Sequence, residues 1–150
     1  MKSARHRSRE FVLQGLYRWL LAGHAPEDIV QDIALFRGFD KCDQAYFRDL
    51  LNVVIHDAEL IASHLAPCLD RPVDSVSPIE RAVLMIAVGE FVRHPEAPYR
   101  VVINEAVELA KAFGGTDGHK YVNGVLDKLA VVLREPEVQA ARASATRAAV

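Results

Sequence analysis

The sequence predicts an all-α fold. Apolar residues recur at intervals of three and four in each long segment, which is the spacing of one face of a helix. Proline, glycine and short polar runs separate these segments where helices are expected to begin and end. No run with the alternating pattern of a β-strand is longer than the helical patterns that contain it. An architecture of packed helices follows from these observations.

Three helices are predicted in the first half of the chain. The first runs from about Ser8 to Ala22, after a basic arm, and the second begins at Pro26. The third is long, from about Asp43 to Ala66, and Pro67 ends it because proline cannot continue a helix. The short loops between these helices indicate an antiparallel bundle.

A nearly continuous apolar segment from Ile79 to Val92 predicts a buried helix. Residues 77–80, Ser-Pro-Ile-Glu, form a capping box with proline at the first helical position, which is a specific start signal. A helix that is apolar on all sides has to lie between two layers. Gly89 is expected to let a neighbouring helix approach closely, at a cost of about 1 kcal/mol in helix propensity.

The segment from Pro98 to Leu133 predicts two antiparallel helices joined by a short turn. Gly114 and Gly115 are expected to supply the left-handed conformation that ends the first of them. Thr116 or Asp117 is expected to cap the second through a side-chain oxygen. The polar residues in the first turns of the second helix fit an anion site, because the free N–H groups there point outward, and they fit equally a capped, solvated helix start.

The chain after Arg134 is alanine-rich and lacks a sizeable apolar stripe, so it predicts a mobile tail or a marginal helix. The expected organisation is one helical domain over residues 1–134, with sub-bundles at about 8–67 and 77–134. Residues 135–150 are expected to form a flexible C-terminal tail.

Charge is distributed unevenly along the chain. Residues 1–9 carry a formal charge of +4, from Lys2, Arg5, Arg7 and Arg9, whereas residues 10–134 carry −6. Lysine and arginine in such an arm bind phosphate backbones. A frayed, solvated terminus is the alternative explanation of the same residues.

Several classes of protein are not indicated. Cys42 and Cys68 stand 26 residues apart, without the second pair that a zinc knuckle or a disulfide framework needs. The sequence contains no phosphate-binding glycine loop, no nucleophile elbow and no HExxH motif, so we expect no cofactor, no metal and no enzymatic activity. The absence of a membrane-length apolar run and of a signal-peptide core predicts a cytoplasmic protein.

Four segments of the sequence are distinctive: YFRDLL (46–51), IERAVLMIA (79–87), PYRVVINEAVELAKAFG (98–114) and HKYVNGVLDKLA (119–130). They resemble the bacterial NusB family of transcription antitermination factors. The resemblance covers roughly residues 2–134. It implies an all-helical fold of about seven helices in two packed antiparallel three-helix-type bundles, in agreement with the periodicity.

The resemblance also implies a function and its partners. Members of the family bind the single-stranded boxA element of ribosomal RNA leaders as a heterodimer with the ribosomal small-subunit protein NusE. They modify RNA polymerase so that it reads through terminators, and thereby act in ribosomal RNA transcription and its regulation. No membrane partner is expected.

Site residues follow from the positions that match the family. The residues expected to bind RNA are Lys2, Arg5, Arg7, Arg9, Asp117, Lys120 and Tyr121. Tyr17 and Glu80 are expected to contact the protein partner. Tyrosine provides a ring on which a base of single-stranded RNA can stack, and lysine or arginine holds phosphate. For Asp117, reading a base edge and capping the helix remain open alternatives.

Other functions stay open from the sequence. One is a helical protein–protein scaffold, or a ribosome-biogenesis RNA-binding module, without a role in antitermination. Another is the related helical module fused to ribosomal RNA cytosine methyltransferases, against which the absence of a cofactor-binding domain counts. The free protein is either a monomer or a weak homodimer that buries the apolar surface reserved for its partner.

Overall fold

The computed structural model describes residues 2–149, without the side chain of Ala149. Met1, the first residue of the expected domain 1–134, and Val150, the last residue of the expected tail 135–150, lie outside the described residues. The described chain is all-helical and contains no β-strand. Eight α-helices follow one another: α1 Ala4–Ala22, α2 Pro26–Ile33, α3 Gln44–His56, α4 Ala58–Leu65, α5 Pro78–Arg93, α6 Tyr99–Phe113, α7 Gly118–Leu133 and α8 Glu135–Ala149. Among these helices none is long and apolar enough to span a membrane.

Helix α5 lies at the centre, as its apolar sequence predicts. It packs against α1, α3, α4, α6 and α7, and its residues 82–91 are all buried. A Cβ atom added at Gly89 would lie 2.8 Å from Cγ2 of Val54, so this glycine permits the close approach of α3. The capping box at its start is present, with Ser77 Oγ accepting from the N–H of Glu80 at 3.3 Å.

One hydrophobic core runs through both halves of the chain. Its buried residues come from every α-helix, and α5 contacts helices of both expected sub-bundles. The two halves are therefore joined by a shared central helix rather than by a separable interface.

The segment expected to form one helix from Asp43 to Ala66 is instead two. Asp57 separates α3 from α4, with φ −95° and ψ 19°, although its N–H still donates to Val53 O at 2.8 Å. The Asp57 carboxylate accepts from Nε of Arg93 on α5 at 2.7 Å. This bond to a neighbouring helix accompanies the local departure from α geometry, which periodicity does not reveal.

The predicted pairing of α6 with α7 is confirmed, but the turn between them differs from expectation. Gly114 is extended, with φ −97° and ψ −173°, rather than left-handed. Glycine is needed there for space, because an added Cβ atom would lie 2.7 Å from the carbonyl oxygen of Ala110. The two glycines with positive φ are Gly23 and Gly38, which follow α1 and precede a short 3-10 turn.

The segment after Arg134 is a helix, which is the second of the two alternatives expected for it. Val138 of α8 is buried, and Glu137 accepts a hydrogen bond from the N–H of Tyr99 at 3.0 Å. Residues 142–148, beyond these contacts, are exposed. The start of α8 is thus part of the packed structure, and its end projects into solvent.

Candidate nucleic-acid interface

The basic residues near the N-terminus lie on a helix rather than on an extended arm. Ser3 caps α1 by accepting the N–H of His6 at 3.0 Å, and the helix begins at Ala4. The N–H of Asp43 donates to Ala4 O at 3.2 Å, which ties this first turn to the start of α3. Because successive helical residues point in different directions, the basic side chains face different surroundings.

Arg9 is buried, and its expected role in RNA binding is corrected. Its side chain donates to both carboxylate oxygens of Glu90, at 2.7 and 2.8 Å, and Tyr46 Oη donates to the same carboxylate at 2.6 Å. Burial opposes the charge of the guanidinium, but the hydrogen bond and charge of Glu90 outweigh it and raise the pKa of Arg9. With 4% of its surface exposed, Arg9 has no access to phosphate.

Two of the remaining cations have acidic neighbours within the fold. Lys2 Nζ lies 3.1 Å from Glu10, and Arg5 Nε lies 3.8 Å from Asp43 Oδ2. The Arg5 guanidinium also lies over the ring of Tyr46, 4.4 Å from its centroid. Their side chains remain about half exposed, at 53% and 50%, so both are within reach of a ligand.

Arg7 has no carboxylate within ion-pair distance among the described residues. It lines a cleft of about 220 Å³ together with Lys2, Arg37 and one carboxylate, that of Glu10, and Gln14 lies at the same cleft. The sequence argument missed Arg37, which lies after α2, thirty residues beyond Arg7, and is brought here only by packing. Three cations outnumber the single carboxylate, which is paired with Lys2, so this is the side of α1 best suited to phosphate.

A second cleft beside Lys2 has the opposite electrostatic character. Its volume is about 430 Å³, and it is lined by Lys2, His6, Glu105 and Glu108. The ring of His6 is bonded to Glu105. Two carboxylates repel a phosphate backbone, so a nucleic acid is expected on the Arg7 side of α1.

Asp117 and Lys120 lie at the exposed start of α7. Asp117 makes no side-chain capping bond, contrary to one of its two expected roles, and lies instead 3.3 Å from Lys120 Nζ. Their side chains are 76% and 72% exposed. The geometry leaves the carboxylate of Asp117 open to a base edge and the ammonium of Lys120 open to phosphate.

Tyr121 is less accessible than a free stacking ring would be. It is half-buried against the hydrophobic core, and the guanidinium carbon of Arg71 lies 4.4 Å from the ring centroid. Burial, followed by the negative charge of Asp70, raises the pKa of its hydroxyl. The ring is therefore already covered by a planar cation from the loop before α5.

Tyr17 lines an apolar groove between α1, α5 and α6, and Glu80 is next in the chain to another of its lining residues. The groove has a volume of about 250 Å³, and Tyr17, Phe36, Ile79 and Phe113 line it. Tyr17 and Phe113 are each 38% exposed, so aromatic surface faces solvent. Glu80 follows Ile79 and is half-buried. Exposed aromatic surface next to a carboxylate is typical of a protein-binding site.

This groove adjoins both cationic regions. Gln14 belongs to the groove and also to the cleft of Lys2, Arg7 and Arg37. At the other end Glu80 lies against Gly118, where an added Cβ atom would be 2.6 Å from the carboxylate. The groove therefore shares Gln14 with the cleft on α1, and its lining residue Ile79 is followed by Glu80, which contacts the start of α7. No group of three or more potential metal ligands occurs among the described residues.

Comparisons with known sequences agree on one family. The model of the NusB family matches residues 6–131. A transcription antitermination protein NusB from Paraburkholderia xenovorans is 58% identical over 142 residues, which cover 95% of this chain and 99% of the relative. The NusB of Paraburkholderia phytofirmans is 57% identical with the same coverage.

Two solved structures have the same fold. NusB of T. maritima superposes with a TM-score of 0.77 at 29% identity, covering 87% of this chain and 92% of the other. A complex of the antitermination factors NusB and NusE with double-stranded RNA matches with a TM-score of 0.68 at 26% identity, over 83% of this chain and 95% of that one.

Proposed function

The chain belongs to the NusB family, and from this premise we propose that it is an RNA-binding transcription antitermination factor. It binds the boxA element of ribosomal RNA leader transcripts together with the ribosomal protein NusE, and it promotes read-through of terminators by RNA polymerase. The similarity to a solved NusB–NusE–RNA complex supports this combination of partners.

The arrangement of the groove carries the proposal. An apolar groove of the size of a few side chains shares Gln14 with one cationic region, on α1, and a second cationic region lies at the start of α7, which Glu80 contacts. A protein partner seated in the groove would lie beside an RNA strand that contacts either region. Two adjacent RNA-binding surfaces raise the affinity without further contacts on this chain.

The proposed RNA-binding surface keeps most of the residues expected from the sequence. Its basic members on α1 and nearby are Lys2, Arg5, Arg7 and Arg37, and its members on α7 are Asp117, Lys120 and Tyr121. Arg9 is left out because its charge is used by Glu90. Tyr17 and Glu80 form the proposed contact with NusE. All of these residues lie within the expected 1–134 domain.

This role needs no chemistry from the chain. The protein acts as a cytoplasmic adaptor that holds RNA and a ribosomal protein at the transcription complex, without catalysis. The exposed groups at the proposed RNA-binding surface are cations and a carboxylate, and cations of this kind hold the phosphates of single strands.

The test measures fluorescence anisotropy of a labelled single-stranded boxA-like RNA, with and without NusE, and of the same sequence as a duplex. We expect salt-dependent binding of the single strand that NusE strengthens. The double variant Arg7→Glu with Lys120→Glu is expected to abolish measurable binding while the helical circular dichroism spectrum is unchanged.

The control variant reverses two charges elsewhere. Arg142→Glu with Arg147→Glu makes the same change in net charge on the exposed end of α8 and is expected to leave binding unchanged. Absence of salt-dependent RNA binding with and without NusE contradicts the proposal and favours a protein-binding scaffold. Equal losses in both double variants contradict the assigned surface.

A further inference from the structure

The loop between α4 and α5 places one arginine on the surface of α7. Arg71 donates to both carboxylate oxygens of its neighbour Asp70, at 2.7 and 3.2 Å, which fixes the plane of the guanidinium. The guanidinium carbon lies over Tyr121, 4.4 Å from the ring centroid. The side chain of Arg71 is still 47% exposed. Tyr121 therefore offers little free ring surface, whereas the guanidinium that covers it is open to solvent.

A cleft of about 220 Å³ lies directly beside this stack. Lys120, Gly124 and Lys128 of α7 line it together with Tyr121 and Val125 of the same helix, and with Cys68 and Asp70 from the chain before Arg71. These three α7 residues are spaced by four, so they form one row on the helix surface. An added Cβ atom at Gly124 would meet no atom within 4 Å, so the middle of the row is open. The row presents an ammonium group at each end of a shallow floor.

The charges at the cleft favour an anion. Asp70 is the one carboxylate among its lining residues, and both of its oxygens are already bonded to Arg71, which lowers the pKa of the Asp70 carboxyl. Lys128 is exposed and has no carboxylate within ion-pair distance among the described residues. Lysine at such a position attracts phosphate as a point charge.

We propose that this cleft binds one nucleotide of the RNA, with its base stacked on Arg71 and its flanking phosphates held by Lys120 and Lys128. The inference rests on the proposed RNA-binding function and deepens it. Arg71 is the platform and Tyr121 the support beneath it, because a guanidinium plane stacks on aromatic rings and on bases alike. Asp70 orients the platform by holding its two N–H groups. The RNA strand thus extends along α7 beyond Lys120, to Lys128.

Conservative substitution separates stacking from charge. Arg71→Lys keeps the positive charge and loses the planar group, so RNA affinity is expected to fall about 10-fold with little change in its salt dependence. Arg93→Lys is the matched control, because Arg93 is 50% exposed and bonded through Nε to Asp57 at 2.7 Å. No aromatic ring lies beneath the guanidinium of Arg93 among the described residues. The Arg93→Lys replacement is therefore expected to leave RNA affinity unchanged.

A series of RNAs, each with one abasic nucleotide, locates the stacked base. At one position, removal of the base is expected to cost the wild type about 10-fold in affinity and the Arg71→Lys variant almost nothing, since two changes that remove one contact are not additive. Equal losses in the two proteins at every position would overturn the stacking role of Arg71.

Lys128→Ala tests the phosphate contact. The slope of log affinity against log salt is expected to become shallower by about 0.7, the value for one phosphate contact on a single strand. An unchanged slope would overturn the extension of the strand to Lys128. These outcomes are distinct from failure of the proposed function. A wild-type protein that binds no RNA contradicts both the proposed function and this inference. A wild-type protein that binds RNA, with Arg71→Lys and Lys128→Ala variants that bind it with the same affinity and salt dependence, contradicts only this inference.

Discussion

Arg9, Glu90 and Tyr46 form a buried polar network that joins α1, α3 and α5. The two charges compensate each other, and the phenol donates to the same carboxylate. A buried charge is tolerated only while its partners are present, because the desolvation cost remains when they are removed. The network therefore fixes how α1 sits on α5, and through α1 the positions of Lys2 and Arg7.

Replacing Arg9 is expected to destabilise the fold. Arg9→Met leaves the Glu90 carboxylate buried without its cation and should lower the free energy of unfolding by about 3–5 kcal/mol. Arg5→Met, at a half-exposed position with a pairing distance of 3.8 Å, should cost about 1 kcal/mol or less. Urea unfolding followed by circular dichroism measures both. Similar values for the two variants would contradict the structural role of Arg9.

Tyr46 is expected to make the free energy of unfolding fall as the pH rises into the alkaline range. Burial, followed by the negative charge of Glu90, raises the pKa of its hydroxyl above the unfolded value of about 10. This contribution to stability is complete below about pH 10 and is lost as the pH rises toward the folded-state pKa. Tyr46→Phe should cost about 1–3 kcal/mol at pH 8 and should reduce the further loss between about pH 9 and 11. Urea unfolding at these pH values tests it, and parallel pH profiles of the two proteins would contradict it.

The role of Arg9 shows where sequence reasoning ended at the scale of residues. A count of charges places four cations before residue 10, but it does not distinguish a cation that faces solvent from one that enters the core. The available signal was Glu90, an acidic residue inside an otherwise apolar helix, which requires a buried cation as its partner. That partner lies 81 residues away in the chain, and only the packing of α1 on α5 identifies it.

At the scale of elements, the helices with strong local signals were predictable. The capping box at Ser77 and the apolar sequence up to Val92 predict the start and the central burial of α5, and the spacing of apolar residues predicts the pairing of α6 with α7. The break at Asp57 and the extended conformation of Gly114 depend on contacts with Arg93 and with the Ala110 carbonyl. Those contacts are set by tertiary structure, which periodicity does not encode.

Helix α8 is held to the fold by one arginine that caps another helix. The guanidinium of Arg134 donates to the backbone carbonyls at the end of α5 and after it, those of Glu90, Phe91, His94 and Ala97, at 2.9–3.3 Å. It also bonds Glu137, which accepts the first N–H of α6. The carbonyl groups at the end of α5 and an N–H group at the start of α6 are thus satisfied from the same short segment.

Removal of this cap is expected to cost more than removal of α8. Arg134→Ala should lower the free energy of unfolding by about 3 kcal/mol, because several buried carbonyls lose a charged donor. A chain that ends after Arg134 should lose about 2 kcal/mol through Val138 and Glu137. A chain that ends after Ala143 should change by less than about 0.5 kcal/mol, since residues 144–148 are exposed. Urea unfolding ranks the three, and a different order would contradict the capping role.

At the scale of the whole molecule, the proposed site is a surface with three parts. The resemblance identified residues on α1, α5 and α7, but not their spatial order, in which an apolar groove adjoins the cationic cleft on α1 and Glu80 links its edge to the start of α7. Arg7 and Tyr17 are ten residues apart on α1, which is about 15 Å along the helix axis. Arg37 and Arg71 lie outside the basic N-terminal segment, so the charge pattern does not single them out. They join the surface only through the packing of loops against α1 and α7.

This order predicts that the partner and the RNA bind cooperatively. Tyr17→Ala removes exposed aromatic surface from the groove but no charge from either cationic region, so RNA affinity without NusE should be unchanged. The gain in RNA affinity on adding NusE, expected to be about 5–150-fold, should be largely lost. Linkage requires RNA to strengthen NusE binding to the wild type by the same factor. Calorimetric titration of NusE with and without RNA, alongside anisotropy of the RNA, measures the two factors.

Leu35→Ala is the control, at an apolar side chain that is 86% exposed and is not among the groove residues. A Tyr17→Ala variant that retains the full gain would show that NusE and RNA are coupled through some other surface than the groove.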